Sequence, residues 1–162
     1  MSKKIRFSIE PEFLELDKYY EDAIHILELE AEQGHPGNSM LSPSIVASIY
    51  SKCLLKCRKR IMKILSTYNH HIRKSDIISI HEYLEKQKKV FITEVKKYDE
   101  VPVYPEDGHI DSEESVSQET LLLEQHVDNF YCRCHNEYRW RHVWYTIPII
   151  ISFISLLIAV FK

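Results

Sequence analysis

The stretch VWYTIPIIISFISLLIAVF, residues 143–161, decides how the rest of this chain is read. Twelve of its nineteen residues are Val, Ile, Leu or Phe, none is charged, and Lys162 follows it. As a helix it covers roughly 28 Å at about 1.5 Å per residue, close to the hydrocarbon thickness of a bilayer. A helix buried in a protein core would keep a polar stripe. Here the interruptions are Thr146, Ser152 and Ser155, whose hydroxyls can bond back to carbonyls of their own helix. Central Leu, Ile, Phe and Val each favour insertion by about 0.3 to 0.6 kcal/mol, so the run as a whole prefers lipid. Pro148 lies near the entrance of the span, where a missing backbone bond is cheaper than at its centre. The sequence therefore predicts a transmembrane helix, residues 143–161.

Upstream, the composition changes to suit an interface. Trp140, Trp144 and Tyr145 form an aromatic belt, and Arg133, Arg139 and Arg141 precede the span. These six residues are the predicted membrane interface. The arginines place the N-terminal 142 residues in the cytosol by the positive-inside bias. No second long apolar stretch occurs, and the basic start at Lys3, Lys4 and Arg6 lacks the apolar region of a signal peptide. The expectation is a single-pass, tail-anchored protein inserted after translation. One terminal Lys after a strongly apolar span favours the endoplasmic reticulum and secretory pathway over the outer mitochondrial membrane.

The part outside the span is long enough for one compact domain. Three Gly and six Pro, with frequent Lys, Glu, Leu and Ile, point to helices rather than a turn-rich β fold. A first helix is expected over residues 11–33, opened by Pro11, with Phe13, Leu16, Tyr20, Ala23, Leu27 and Ala31 as its apolar stripe. Ser42 and Pro43 should open a second, whose buried face runs through Val46, Tyr50, Cys53, Cys57, Ile61 and Ile64 and on to Tyr68 and Ile72. A third is expected from about Asp76 with Ser75 as N-cap, its stripe running through Ile77, Ile80, Leu84, Gln87, Phe91, Val95 and Tyr98. The predicted fold class is all-α: an antiparallel bundle of about three helices (11–98) after an extended N-terminus (1–10). An acidic flexible linker (99–116) should follow, then a juxtamembrane helix (117–142) that continues into the span.

Charge is segregated along this layout. Residues 10–32 carry nine acidic side chains against one Lys; residues 33–75 carry eight Lys or Arg and no acid. Residues 98–124 carry nine acids and no Lys or Arg. The basic second helix makes Lys52, Lys56, Lys59 and Lys63 candidates for contact with anionic lipid. Nucleic acid is disfavoured as a partner, because the rest of the chain supplies compensating negative charge.

No catalytic signature is present. The three glycines make neither a P-loop nor a dinucleotide fingerprint, and no G-x-S-x-G element occurs. His81-Glu82 begins like a zinc-protease helix, but Glu85 stands where the second ligand belongs. Cys53 and Cys57, four apart on a buried stripe, suit packing rather than metal ligation. Cys132 and Cys134, about ten residues before the span, are candidates for lipidation. No cofactor, metal or catalytic residue is assigned.

The order of helical domain, tether, juxtamembrane helix and anchor resembles the layout of SNARE proteins. That resemblance implies protein interaction in vesicle traffic, yet residues 117–142 give fewer than four heptads where the family needs about seven to eight. The seam also turns polar at Glu137 and Arg141. The reading is therefore a helical module that binds a protein partner at an organelle membrane. One alternative is a regulator of membrane integrity resembling the Bcl-2 group, which combines a helical domain with a C-terminal anchor. The other is a Cys/His metal-binding membrane protein.

Overall fold

A computed structural model of the chain describes residues 8–33, 43–69, 71–97 and 112–160. Four helices account for most of them: α1 (Glu10–Gln33), α2 (Pro43–Thr67), α3 (Lys74–Lys96) and α4 (Ser112–Val160), with no strand among the described residues. Ser42, Tyr98 and the proposed linker residues 99–111 lie outside the described residues.

Each helix starts and stops for a local chemical reason. Glu10 and Glu12 occupy the first turn of α1, where the helix dipole favours negative charge. Ile9, just before it, is buried and its carbonyl accepts the Glu12 N–H at 2.9 Å, so the supposed extended N-terminus already belongs to the core there. Helix α2 ends at Thr67, sooner than its apolar stripe suggested. The hydroxyls of Ser66 and Thr67 both bond the Lys63 carbonyl at 2.8 Å, competing with the backbone ladder. Tyr68 and Ile72 still cover the core, but from the turn that follows.

Helix α3 corrects the expected cap. It begins at Lys74 with Arg73, not Ser75, in the N-cap position, at φ −108° and ψ 162°. The Asp76 carboxylate accepts the Arg73 N–H at 2.8 Å and supplies negative charge to the first turn. That capping-box acid makes a Ser75 cap unnecessary, and Ser75 is exposed.

The largest difference lies in α4. Helix begins at Ser112, within the stretch expected to be linker, and runs unbroken through the apolar tail. Val116, Thr120, Leu123 and Val127 recur at four- and three-residue steps and are all buried. Val116, Leu123 and Val127 join the same core cluster as Leu16, Tyr50, Ile61 and Leu84. The core therefore has walls from four helices rather than three.

The helices pack in the cyclic order α1, α2, α4, α3. Arg60, late in α2, meets Glu12, early in α1, so these two run antiparallel. Lys96 at the end of α3 pairs with Glu113 at the start of α4 at 2.7 Å, and these also run antiparallel. Helices α2 and α4 run the same way, since Tyr50 meets Thr120 near the start of both. At the centre the Tyr50 and Phe91 rings lie 4.6 Å apart. Burying such side chains gives about 1.5–3 kcal/mol each relative to exposure.

Candidate membrane interface

Beyond Val127 the environment of α4 changes in register with its sequence. Phe130 and Tyr131 are half-buried against the core, Cys134 is half-buried, and every described side chain from residue 135 to residue 158 is exposed. Among the described residues this is the one helix long and apolar enough to cross a membrane. Ile149 is 68% exposed and Phe153 64%, a degree of apolar exposure that water does not favour.

Two of the three Thr and Ser hydroxyls inside the apolar half bond back to their own helix. Thr146 Oγ1 donates to the His142 carbonyl at 2.9 Å, and Ser155 Oγ to that of Ile151, also at 2.9 Å. Lipid demands this, because it offers no hydrogen-bond partner. Pro148 sits inside α4 and removes the N–H that would have bonded the Trp144 carbonyl. Trp144, in the predicted aromatic belt, is 70% exposed, so that bond is lost at the surface of the protein.

The six predicted interface residues share one short section of α4. Arg133, Arg139 and Arg141 are exposed, as are Trp140, Trp144 and Tyr145. Arg133, Trp140, Arg141 and Trp144 line one shallow surface with Asn136 and Glu137. On another side, Cys134, Tyr138, Arg141, His142 and Tyr145 line a cavity of about 200 Å³ together with Asn69 from the α2–α3 turn. A neighbouring hollow is lined by Asn69 and Ile72 against Tyr131, Cys134, His135 and Tyr138. Ring pairs one helical turn apart stiffen this section. Tyr138 and His142 meet edge-on at 4.3 Å, and Tyr131 stacks on His135 at 5.9 Å.

Nothing in the residue pattern brought Asn69 and Ile72 beside this section of α4. Spacing within α4 would have revealed the Tyr–His pairs, because both are i, i+4. Juxtaposing the α2–α3 turn with residues 131–145 needed the parallel course of α2 and α4.

The lipidation candidates are unequal. Cys132 is exposed; Cys134 is half-buried, and burial followed by the nearby Glu137 pushes its thiol up, leaving less thiolate to react. Cys53 and Cys57 are both in the core. The Cys53 thiol donates to the Tyr19 carbonyl at 3.2 Å and is held protonated by its contact with Cys57 and by burial. No group of three or more His, Cys, Asp or Glu side chains among the described residues is placed to hold a metal ion. His81 instead faces Asp128 across the α3–α4 contact, at 3.3 Å.

Lys52, Lys56, Lys59 and Lys63 are all exposed and, at four- and three-residue steps, share one face along α2. Lys56 Nζ lies 5.9 Å from the centre of the Tyr19 ring. Arg60, which was not among them, makes the acid–base contact between α1 and α2, with Glu12 and Glu15 oxygens both at 2.8 Å.

No protein-family model, curated protein or solved structure matches the chain.

Proposed function

We propose that this protein is a single-pass membrane-anchored helical module that presents a protein-binding surface at an organelle membrane, in traffic or membrane organisation. One observation carries this reading: α4 is at once a wall of the core, through Val116, Thr120, Leu123 and Val127, and an exposed apolar rod beyond residue 143. A helix apolar all round is at home in lipid, whereas one with a single buried stripe is at home in water. The arginines before the span favour the cytosolic side for the bundle, and the endoplasmic reticulum or secretory pathway is the proposed residence.

The protein partner is assigned to the outer groove between α2 and α4. Leu55 and Leu122, each 51% exposed, flank it beside Ser51, Arg58, Glu119 and His126. Exposed leucines rimmed by charged and polar groups suit a partner helix better than a small substrate.

The deciding experiment is carbonate extraction and protease protection of the full chain in microsomes. Retention in the membrane pellet, with cleavage of the bundle from outside and protection of residues 143–158, is the expected outcome. Release into the supernatant would refute the anchor. Protection of the bundle in intact vesicles would refute its cytosolic orientation.

A further inference from the structure

We infer that the end of the bundle built by the α2–α3 turn is a second membrane contact, docking on anionic lipid headgroups of the leaflet through which α4 passes. This rests on the reading of α4 as a membrane span and adds to it a surface, a lipid class and an orientation.

Position is the first argument. Because α4 is continuous from Ser112 to Val160, the bundle has a defined membrane-facing end. Helix α2 runs parallel to α4, so that end carries the C-terminus of α2 and the turn into α3. Asn69 from the turn lines the same cavity as Tyr138, Arg141, His142 and Tyr145. From Tyr138 to the start of the span at Val143 the helix rises about 7.5 Å, roughly the depth of one headgroup layer. The turn therefore stands at the outer edge of the headgroups.

Charge is the second. Segments 63–74 and 133–142 together contain six Lys or Arg and one acid, Glu137. Lys63, His71, Arg73 and Lys74 are exposed on the bundle side, and Arg133, Arg139 and Arg141 on α4. The acids facing them from neighbouring elements are few. Asp76 is buried and lies 3.6 Å from the Arg73 guanidinium, and Glu10 opens α1 at this end. Glu12 and Glu15, one turn further along, are engaged by Arg60. The opposite end of the bundle carries Glu28, Glu30 and Glu32 at the close of α1, Glu94 near the close of α3, and Glu113 and Glu114 at the start of α4, against Lys96 and Lys97. A basic end towards the bilayer and an acidic end away from it hold the bundle upright over anionic lipid.

An upright bundle sets a pattern along α2. Lys52 lies roughly 16 Å further from the membrane than Lys63, at about 1.5 Å per residue, twice the Debye length at physiological salt. Lys74 should touch headgroups; Lys63, roughly 9 Å above Asn69 along the helix, should lie within about one Debye length of them, and Lys52 beyond it.

The test uses the full chain reconstituted in phosphatidylcholine vesicles, with and without phosphatidylserine. Lysine acylation rates are read by mass spectrometry after insertion has been verified by protease protection of residues 143–158. Phosphatidylserine should slow labelling of Lys63 and Lys74 by about fivefold, reversed by high salt, with Lys52 unchanged. Lys74→Glu combined with Arg133→Glu should abolish the slowing at Lys63. Glutamate in the first turn of α3 suits its dipole, so the variant should keep its fold, which circular dichroism checks. Equal labelling of Lys63 in the two lipids overturns the docking surface while leaving the anchor standing. Slowing of Lys52 together with Lys63 overturns it too, because the bundle would then lie flat. Failure of residues 143–158 to gain protection overturns the span and this inference with it.

Discussion

The two halves of α4 are one helix with two kinds of surface. Its first half, from Ser112 to about Tyr131, is polar apart from one stripe and buries that stripe against α2 and α3. From Val143 onward it is apolar on every side, and every described side chain there, through residue 158, is exposed. Hydrophobic content alone does not separate these cases; the pattern does. Leu121 and Leu122 are about half exposed while Leu123 beside them is 4% exposed. A periodic stripe selects one face for a protein neighbour. A uniform surface selects a solvent that surrounds the helix.

The largest expected effect breaks the second half. Ile150→Arg with Ile154→Arg places two charges in the span, at about 2.5–3.5 kcal/mol each near a helix centre. Membrane retention in flotation should fall by orders of magnitude, while the cooperative unfolding of the bundle persists. If unfolding disappeared as well, the apolar half would be part of the core. The next largest effect breaks the first half. Leu123→Ala should destabilise the bundle by about 2–5 kcal/mol, whereas Leu122→Ala should change it by less than about 0.5 kcal/mol. Thermal unfolding of the full chain in non-ionic detergent reads both, and comparable losses would contradict the stripe.

This neighbouring pair also explains what was legible in the sequence. The stripes of the first three helices were readable because each is long, regular and flanked by breakers, as with Val46, Tyr50, Cys53 and Cys57 before Ile61. The apolar tail was readable because nothing else in the chain resembles it. The start of α4 was hidden: Val116 and Thr120 are modest core residues in a stretch dominated by Glu and Ser, so composition outweighed their spacing. A threonine earns its buried place through a hydrogen-bond partner seventy positions away, and no local window contains that partner. The α3 cap failed for a related reason. Ser75 and Asp76 are both good capping residues, and the choice depends on which backbone N–H each can reach. The arginines and aromatics before the apolar run stand out by residue type, whereas Asn69 and Ile72 come to lie beside Tyr131 and Tyr138 through helix order alone.

Alkaline pH should separate the halves without any mutation. Burial pushes the phenols of Tyr50 and Tyr83 well above their usual value; for Tyr83, the bond it donates to the Asp17 carboxylate at 2.6 Å adds to this. The Cys53 thiol is raised too, first by its contact with Cys57. Groups whose folded values lie above their unfolded ones hold their protons more tightly in the folded state. Their stabilisation is complete below the unfolded values, about 8.5 for Cys and 10 for Tyr, and declines as pH rises through and beyond them. The unfolding temperature of the bundle should therefore drop steadily above about pH 10, with the chain still held in the membrane pellet. A bundle equally stable at neutral pH and in carbonate would show that these phenols are not protected by folding.

The smallest effect asks whether the start of α4 is a wall or merely a tether. Thr120 Oγ1 donates to the Val116 carbonyl at 2.8 Å, so its one proton is committed and the Tyr50 hydroxyl, also 2.8 Å away, must be the donor to it. Thr120→Val keeps the shape but leaves that phenol without an acceptor, at about 1–3 kcal/mol. Replacing both partners, by Tyr50→Phe with Thr120→Val, removes donor and acceptor together and should recover most of the loss. The coupling between the two substitutions, measured as a double-mutant cycle on bundle unfolding, isolates this contact from the packing around it. A tether would give no coupling, since a residue that does not touch the core cannot know what stands at position 50. A coupling of about 1 kcal/mol or more, with membrane retention untouched, would establish that the helix entering the lipid is the same one that closes the core.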